Sequence, residues 1–120
     1  MKASSRCDVA AAVGTTISKR NVSSVYDHES GQLYIHSASV NGNSVSGYDY
    51  KRGAVISGNR SGNHINLYDY GSGSHLSITL NGNEFSGYDK NSRSDFGGTI
   101  NGSSVSLYDD ETRQYYSFSI

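Results

Sequence analysis

The sequence predicts an all-β protein, an antiparallel up-and-down meander of about 10–12 short strands built from hairpin repeats of 20 residues. Three observations predict this fold. The dipeptide Tyr-Asp recurs with its Tyr at 26, 48, 68, 88 and 108. Between these dipeptides apolar residues alternate with Ser, Thr or Tyr, and a period of two is typical of a strand with one buried face. Asn-Gly at 41–42, 81–82 and 101–102 favours tight hairpin turns, because both residues accept a positive φ.

The composition supports a single β domain. The chain has 120 residues with 14 Gly and 10 Tyr, but neither Pro nor Trp. Ser, Tyr and Thr stand where a helical protein would carry Leu, Glu and Lys. We therefore expect residues 1–120 to form one domain of hairpin repeats, with a degenerate repeat over 1–22 and clear repeats over 23–120.

The charge pattern argues against two classes of partner. The net charge is −1, which supplies no broad field for nucleic acid or for an anionic membrane, so we expect neither. The sequence shows no recognisable signal peptide or transmembrane segment, so the default expectation is a cytoplasmic location. Cys7 is the one cysteine, which excludes an intramolecular disulfide and leaves the redox compartment open.

The Asn-Gly dipeptides predict a register. If Asn81-Gly82 is a two-residue loop, Ile78 faces Phe85 and Leu76 faces Gly87, so that apolar residues meet on one face. This loop would also pair Leu80 with Asn83. The same arithmetic at the other hairpins pairs Gly98 with Val105, Phe96 with Leu107, Gly58 with Ile65, Ile56 with Leu67 and Ala38 with Val45.

A second turn follows each Tyr-Asp. Closing Asp69 on Ser74 leaves a four-residue loop that brings Leu67 opposite Leu76. The first unit is two residues longer than the others, which predicts a bulge or a longer loop between residues 27 and 38.

The apolar face predicts closure of the sheet. Bulky hairpins alternate with glycine hairpins on this face, a pattern typical of strongly curved or closed sheets. Burying a Leu or Phe side chain contributes roughly 1.5–3 kcal/mol, so an open, wet face is not viable. We expect a closed or flattened barrel, with a β-solenoid of 20-residue coils as the alternative. The last strand, residues 116–120, lacks a Lys or Pro guard, so we expect it to pair with the first strand or to form a homo-oligomer as an edge strand.

One turn resembles a known repeat. The segment Tyr26–Leu33, Tyr-Asp followed by Gly and Leu, resembles the YD repeat of large bacterial and animal shell proteins. The resemblance covers this turn only, and it implies no function for the chain.

The outer face carries the first candidate site. The predicted register places a belt of aromatic side chains at one level of the outer surface. Tyr offers rigid amphipathic area suited to sugar rings or protein, although it also stabilises sheets by cross-strand packing. We therefore expect a non-enzymatic module that recognises a glycan or protein partner through an outward tyrosine belt, whose residues are Tyr48, Tyr68, His75, Tyr88, Tyr108 and Tyr115.

The inner face carries the alternative. Small interior residues would leave space for an apolar small molecule that a polar side chain could orient. The residues predicted for this interior pocket are His36, expected opposite Gly47, together with Gly58 and Arg60 at an inward strand end.

No catalytic motif accompanies these candidates. The recurrent Asp residues follow Tyr in the turns, where a carboxylate accepts hydrogen bonds from local amides, although a cation site on one rim is also conceivable. The sequence contains no phosphate loop, nucleophile elbow or zinc pattern. We expect neither an enzyme nor a bound cofactor or metal.

Overall fold

A computed structural model describes all 120 residues as one helix and eleven strands. The helix is α1 (Ala3–Ser18). The strands are β1 (Val25–Asp27), β2 (Gln32–Tyr34), β3 (His36–Asn41), β4 (Ser44–Asp49), β5 (Ala54–Ser61), β6 (His64–Asp69), β7 (Ser74–Asn81), β8 (Glu84–Asp89), β9 (Ser94–Asn101), β10 (Ser104–Asp109) and β11 (Gln114–Ser119).

The strands form one antiparallel sheet that curls into a nearly closed barrel. From β3 to β11 every strand pairs with its neighbour in the chain, β11 then pairs with β1, and β1 pairs with β2. The predicted meander and barrel are confirmed, and the antiparallel pairing excludes the solenoid. α1 is not long and apolar enough to cross a membrane.

The two edges of the sheet are consecutive parts of the chain. β2 and β3 are separated by Ile35 alone, and the Ile35 carbonyl accepts a 3.0 Å hydrogen bond from the Tyr50 amide. An isolated β-bridge between Val22 and Ala38 narrows the gap that remains between the two edge strands. The extra length of the first unit is therefore this break at Ile35 between two strands.

The C-terminal strand is not an edge. β11 pairs with β10 on one side and with β1 on the other. Of the two predicted partners for this strand, the first strand is the one present, because Ser119 and Phe118 face Tyr26 and Asp27 of β1 within the chain.

The predicted register of the Asn-Gly hairpins is wrong by two residues. Ile78 faces Gly87, and Phe85 faces Leu80, because the two-residue loop is Gly82-Asn83. Gly82 has φ +60° while neither neighbouring Asn has a positive φ, which fits a turn that needs glycine at its first central position only. The same shift makes Leu76 face Asp89, Gly98 face Leu107, Phe96 face Asp109, Gly58 face Leu67, Ile56 face Asp69, Ala38 face Gly47 and His36 face Asp49.

The register across the other turns is as predicted. Asp69 faces Ser74, and Leu67 faces Leu76. An error of two residues preserves the face that a side chain occupies. The residues predicted for the inner face and for the outer face are therefore correctly assigned. The offset produces a stagger of two residues from hairpin to hairpin, and barrel closure requires such a stagger.

The N-terminal segment differs from the prediction. Residues 1–22 form no degenerate hairpin; they contain α1, which lies inside the barrel and is buried from Cys7 to Thr16. A helix that is buried on every side lacks the polar stripe by which an amphipathic helix is recognised. Ala10, Ala11 and Ala12 give it the small diameter that fits a lumen lined with side chains.

Glycines on the inner wall make room for neighbouring rings. A Cβ on Gly98 would lie 2.8 Å from the Phe85 ring, and one on Gly87 would collide with the Phe96 ring. The alternation of bulky and glycine hairpins is thus confirmed as a means of filling a curved interior.

Candidate recognition surface

All six predicted belt residues lie on the outer face, but they do not lie at one level along the barrel. The register pairs Tyr68 with His75 and Tyr108 with Tyr115, as predicted. On its other side Tyr68 faces Ser57 and not Val55. Because each hairpin is offset by two residues, the tyrosines Tyr48, Tyr68, Tyr88 and Tyr108 climb the barrel as a staircase.

The tyrosines of the Tyr-Asp pairs lie against their own turns. A Cβ on Gly53 would lie 3.6 Å from the Tyr48 hydroxyl, and one on Gly73 would lie 3.8 Å from the Tyr68 hydroxyl. Each ring therefore covers the four-residue turn that follows it. This packing gives Tyr48 and Tyr68 a structural role in addition to any role in recognition.

Two exposed tyrosines were missed by the sequence analysis. Tyr50 and Tyr70 follow β4 and β6 and are 61% and 66% exposed. Their rings stand edge-on to Tyr48 and Tyr68, with centroids 4.7 and 4.8 Å apart. The signal was available as Tyr-Asp-Tyr at 48–50 and 68–70, which the later units do not repeat.

These tyrosines belong to one continuous surface. The Tyr50 amide donates to the Ile35 carbonyl, and the Tyr70 amide donates to the Val55 carbonyl at 2.9 Å, so that exposed side chains of neighbouring strands lie side by side. We call this the aromatic surface, and its residues are Ile35, Tyr48, Tyr50, Val55, Tyr68, Tyr70 and His75.

The aromatic surface ends where the repeat changes chemistry. The residue after Tyr-Asp is Tyr in two units but Lys90 and Asp110 in the next two. The Lys90 amide donates to the His75 carbonyl, and the Asp110 amide donates to the Asp95 carbonyl, so the same row continues with charged side chains. The position after Tyr-Asp is therefore aromatic on one arc of the barrel and charged on the adjoining arc.

The alternative interior site has no empty space. α1 fills the lumen, and a Cβ on Gly58 would lie 2.8 Å from Leu67 Cδ2, while one on Gly47 would lie 2.5 Å from the Ser37 carbonyl. His36 is buried and is not free to orient a ligand, because its Nε2 already forms a 2.8 Å hydrogen bond with Asp8 Oδ1. Arg60 lies at the other end of the barrel and lines a surface cleft.

His36 belongs to a buried cluster of charges. Asp8 projects from α1 toward His36 and lies 3.6 Å from Arg52, which also contacts Asp49 at 2.7 Å and Asp69 at 2.6 Å. Burial raises the pKa of Asp8 to about 7, although its hydrogen bond with His36 lowers it. The second oxygen of Asp8 is buried without a hydrogen-bond partner. This cluster ties the helix to the wall of the barrel.

The repeated aspartates cap the turns at one end of the barrel, here called the aspartate end. Asp69 Oδ1 accepts hydrogen bonds from the Gly71 and Ser72 amides at 2.8 and 3.2 Å. Equivalent turn amides donate to Asp27, Asp49, Asp89 and Asp109. The predicted capping by these residues is confirmed.

Cys7 is buried beside these carboxylates. Burial raises the pKa of its thiol to about 12, with added repulsion from Asp27, Asp8 and Asp49. A thiol with so high a pKa supplies almost no thiolate near neutral pH, and the thiolate is the nucleophile.

Comparisons with protein-family models, with curated proteins and with solved structures found no match. A functional interpretation of the chain therefore rests on its own geometry.

Proposed function

We propose that the protein is a non-enzymatic binding module that recognises a glycan or protein partner through the aromatic surface. The observation that carries the proposal is the exposure of Tyr50 and Tyr70, each held edge-on against a second tyrosine. Tyr has few rotatable bonds, so an exposed and braced ring gives contact area at low entropic cost.

The chemistry of the surface supports a partner with both apolar and hydroxyl groups. The tyrosine rings offer apolar faces, and their hydroxyls together with His75 offer polar tips. Single exposed apolar residues are normal, but these are contiguous across β3 to β7. Because Tyr48 and Tyr68 pack on their own turns, the proposal gives Tyr50 and Tyr70 the main part in recognition.

The experiment is a glycan array followed by titration of the strongest hit with wild type and variants. Tyr50→Ser with Tyr70→Ser removes both exposed rings and leaves the turn tyrosines in place. Lys90→Ser is the matched control, because Lys90 is exposed and follows Tyr-Asp as Tyr50 and Tyr70 do, but it carries no ring and is not a belt residue.

We expect the double variant to weaken binding by at least about tenfold, a loss typical of aromatic anchors, and the control to bind as wild type. Binding that both variants retain would contradict the proposal. If no glycan binds, the same variants are compared against a purified protein partner, and equal binding there also counts against it.

A further inference from the structure

The barrel end that holds the Asn-Gly turns, here called the Asn-Gly end, carries two adjoining clefts. They measure about 210 and 320 Å³ and lie beside the last turn of α1. Three residues line both clefts: Thr16 and Lys19 from the end of the helix, and Arg60 from β5. Arg20 and Asn21 complete one wall of the first cleft.

Lys19 and Arg60, the two cations that line both clefts, have no acidic partner. None of the ion pairs in the structure includes Lys19, Arg20 or Arg60, whereas Arg6 and Arg52 at the aspartate end are both paired. Arg60 uses Nε to donate to the Gly62 carbonyl at 2.9 Å, which leaves its two terminal nitrogens without a hydrogen bond to protein. Arg60 is only half-exposed, so its charge is partly shielded from solvent.

Acidic residues are absent from the walls of both clefts. The five repeated aspartates cap turns at the opposite end of the barrel. Glu84 is the acid in the turn regions of the Asn-Gly end, but it is exposed on β8 next to inward Phe85, and so faces outward. The clefts therefore combine concave shape with an uncompensated positive charge.

The helix end opposes this charge but does not cancel it. α1 ends at the clefts, and the C-terminus of a helix carries roughly −0.5 of an elementary charge. Lys19 and Arg60 together bring about two positive charges, which outweigh it. The Thr15 and Thr16 hydroxyls already donate to the Arg20 and Ala12 carbonyls, so the free side-chain donors are those of the cations and of the amides of Asn21, Asn63 and Asn83.

We propose that the clefts bind a tetrahedral oxyanion, the phosphate or sulfate group of a small molecule. The guanidinium of Arg60 presents two free N–H groups in the fork that matches two oxygens of such a group. Lys19 also lines both clefts and supplies a point charge, whereas Arg20 is engaged, because one of its nitrogens donates to the Ile120 main-chain oxygen at 3.1 Å. This site lies away from the aromatic surface and does not depend on it.

The test is isothermal titration of the wild-type protein with inorganic phosphate, inorganic sulfate and glucose 6-phosphate, against chloride at equal ionic strength. We expect saturable binding with a Kd of about 1 mM or tighter for at least one of the three probes. Tighter binding of glucose 6-phosphate than of inorganic phosphate would show that the carrier molecule is also recognised. Equal binding would place the recognition in the oxyanion itself.

The variants separate a defined site from general surface charge. Arg60→Gln should raise the Kd at least about tenfold, and Lys19→Gln severalfold, since charge-assisted hydrogen bonds are the stronger kind. Arg113→Gln is the matched control, because Arg113 has φ +58°, like Lys19 with +57°, but lies in a turn of the aspartate end. Circular dichroism and the Tm establish that each variant is folded. The proposal is overturned if chloride competes equally with every probe, or if Arg60→Gln and Arg113→Gln bind alike.

Discussion

His36 Nε2 lies 2.8 Å from Asp8 Oδ1, and this contact joins the buried helix to strand β3 of the barrel wall. The other ring nitrogen of His36 lies 3.1 Å from the Ser37 carbonyl, which only accepts hydrogen bonds. Two arrangements satisfy both contacts. In the first, His36 donates one hydrogen bond to an ionised Asp8 and one to the Ser37 carbonyl. In the second, a protonated Asp8 donates to His36, and the other ring nitrogen donates to the Ser37 carbonyl. In each arrangement the pair holds one proton more than neutral histidine beside a carboxylate.

We expect the Asp8→Asn variant to lose a component of the pH dependence of stability. The pKa of Asp8 is raised from 3.8 to about 7 in the folded protein, so folding favours the bound proton. The stabilisation is complete below about pH 3.8 and is lost as the pH rises through 7. At ~1.4 kcal/mol for each pKa unit, the whole effect is at most about 4 kcal/mol.

Urea unfolding at several pH values between 4 and 8 checks this expectation. The free energy of unfolding of Asp8→Asn, relative to wild type, should rise with pH, because an amide donates to neutral His36 without titrating. Asp95→Asn is the control, since Asp95 is exposed on the outer face. A difference between Asp8→Asn and wild type that stays constant with pH would refute the assignment.

Arg52 is expected to be a main source of stability at the aspartate end. Its guanidinium contacts both Asp49 and Asp69, and Asp69 has a fully buried side chain. Arg52→Ala leaves two carboxylates near each other without a cation, at a cost of about 1–3 kcal/mol after allowance for the 27% exposure of the arginine side chain. Lys51→Ala, at the neighbouring exposed position, should cost less than about 0.5 kcal/mol. Equal losses in urea unfolding would show that the Arg52 contacts do not stabilise the fold.

The sequence predicted the meander because strand identity and facing depend on local alternation. The two-residue error at Ile78 and Phe85 arose from the position of the turn. A loop at Asn81-Gly82 and a loop at Gly82-Asn83 put the same side chains on the same face of the sheet, and the alternating pattern tests only which face a side chain occupies. The staircase of tyrosines follows from that offset, so the sequence placed the belt on the correct face but at the wrong heights.

The same reasoning could not predict α1 or the charged cluster around His36, and the cause is physical. Periodicity detects an element by its contrast between a wet and a dry face, and a helix enclosed by a barrel has no wet face. The partnership of Asp8 with His36 joins residues far apart in sequence, and it exists only because the helix enters the lumen. Part of the aromatic surface could be predicted from the sequence, since Tyr50 and Tyr70 stand out as additions to the repeat.

Gly98→Ala should destabilise the barrel more than Gly97→Ala does. A Cβ on Gly98 would collide with the Ser106 carbonyl and lie 2.8 Å from the Phe85 ring, so strand β10 or the ring must move. Such overpacking costs about 1–3 kcal/mol. At Gly97, on the outer face, the nearest atom is the Phe85 carbonyl at 3.2 Å. Thermal unfolding of the two variants checks this, and a Gly98→Ala protein as stable as wild type would contradict the filled interior.

The reactivity of Cys7 should report whether the helix remains in the barrel. Burial raises the pKa of the thiol to about 12, and the side chain is enclosed between α1 and the wall. We expect 5,5′-dithiobis(2-nitrobenzoic acid) at pH 7.5 to label the native protein only as fast as the protein opens, and to label it within minutes in denaturing urea. Asp8→Asn should preserve this protection, because it keeps a hydrogen bond to His36, whereas Gly14→Leu, which collides with the Ile120 side chain, should increase the labelling rate. Rapid labelling of the folded wild-type protein would mean that α1 leaves the lumen under native conditions.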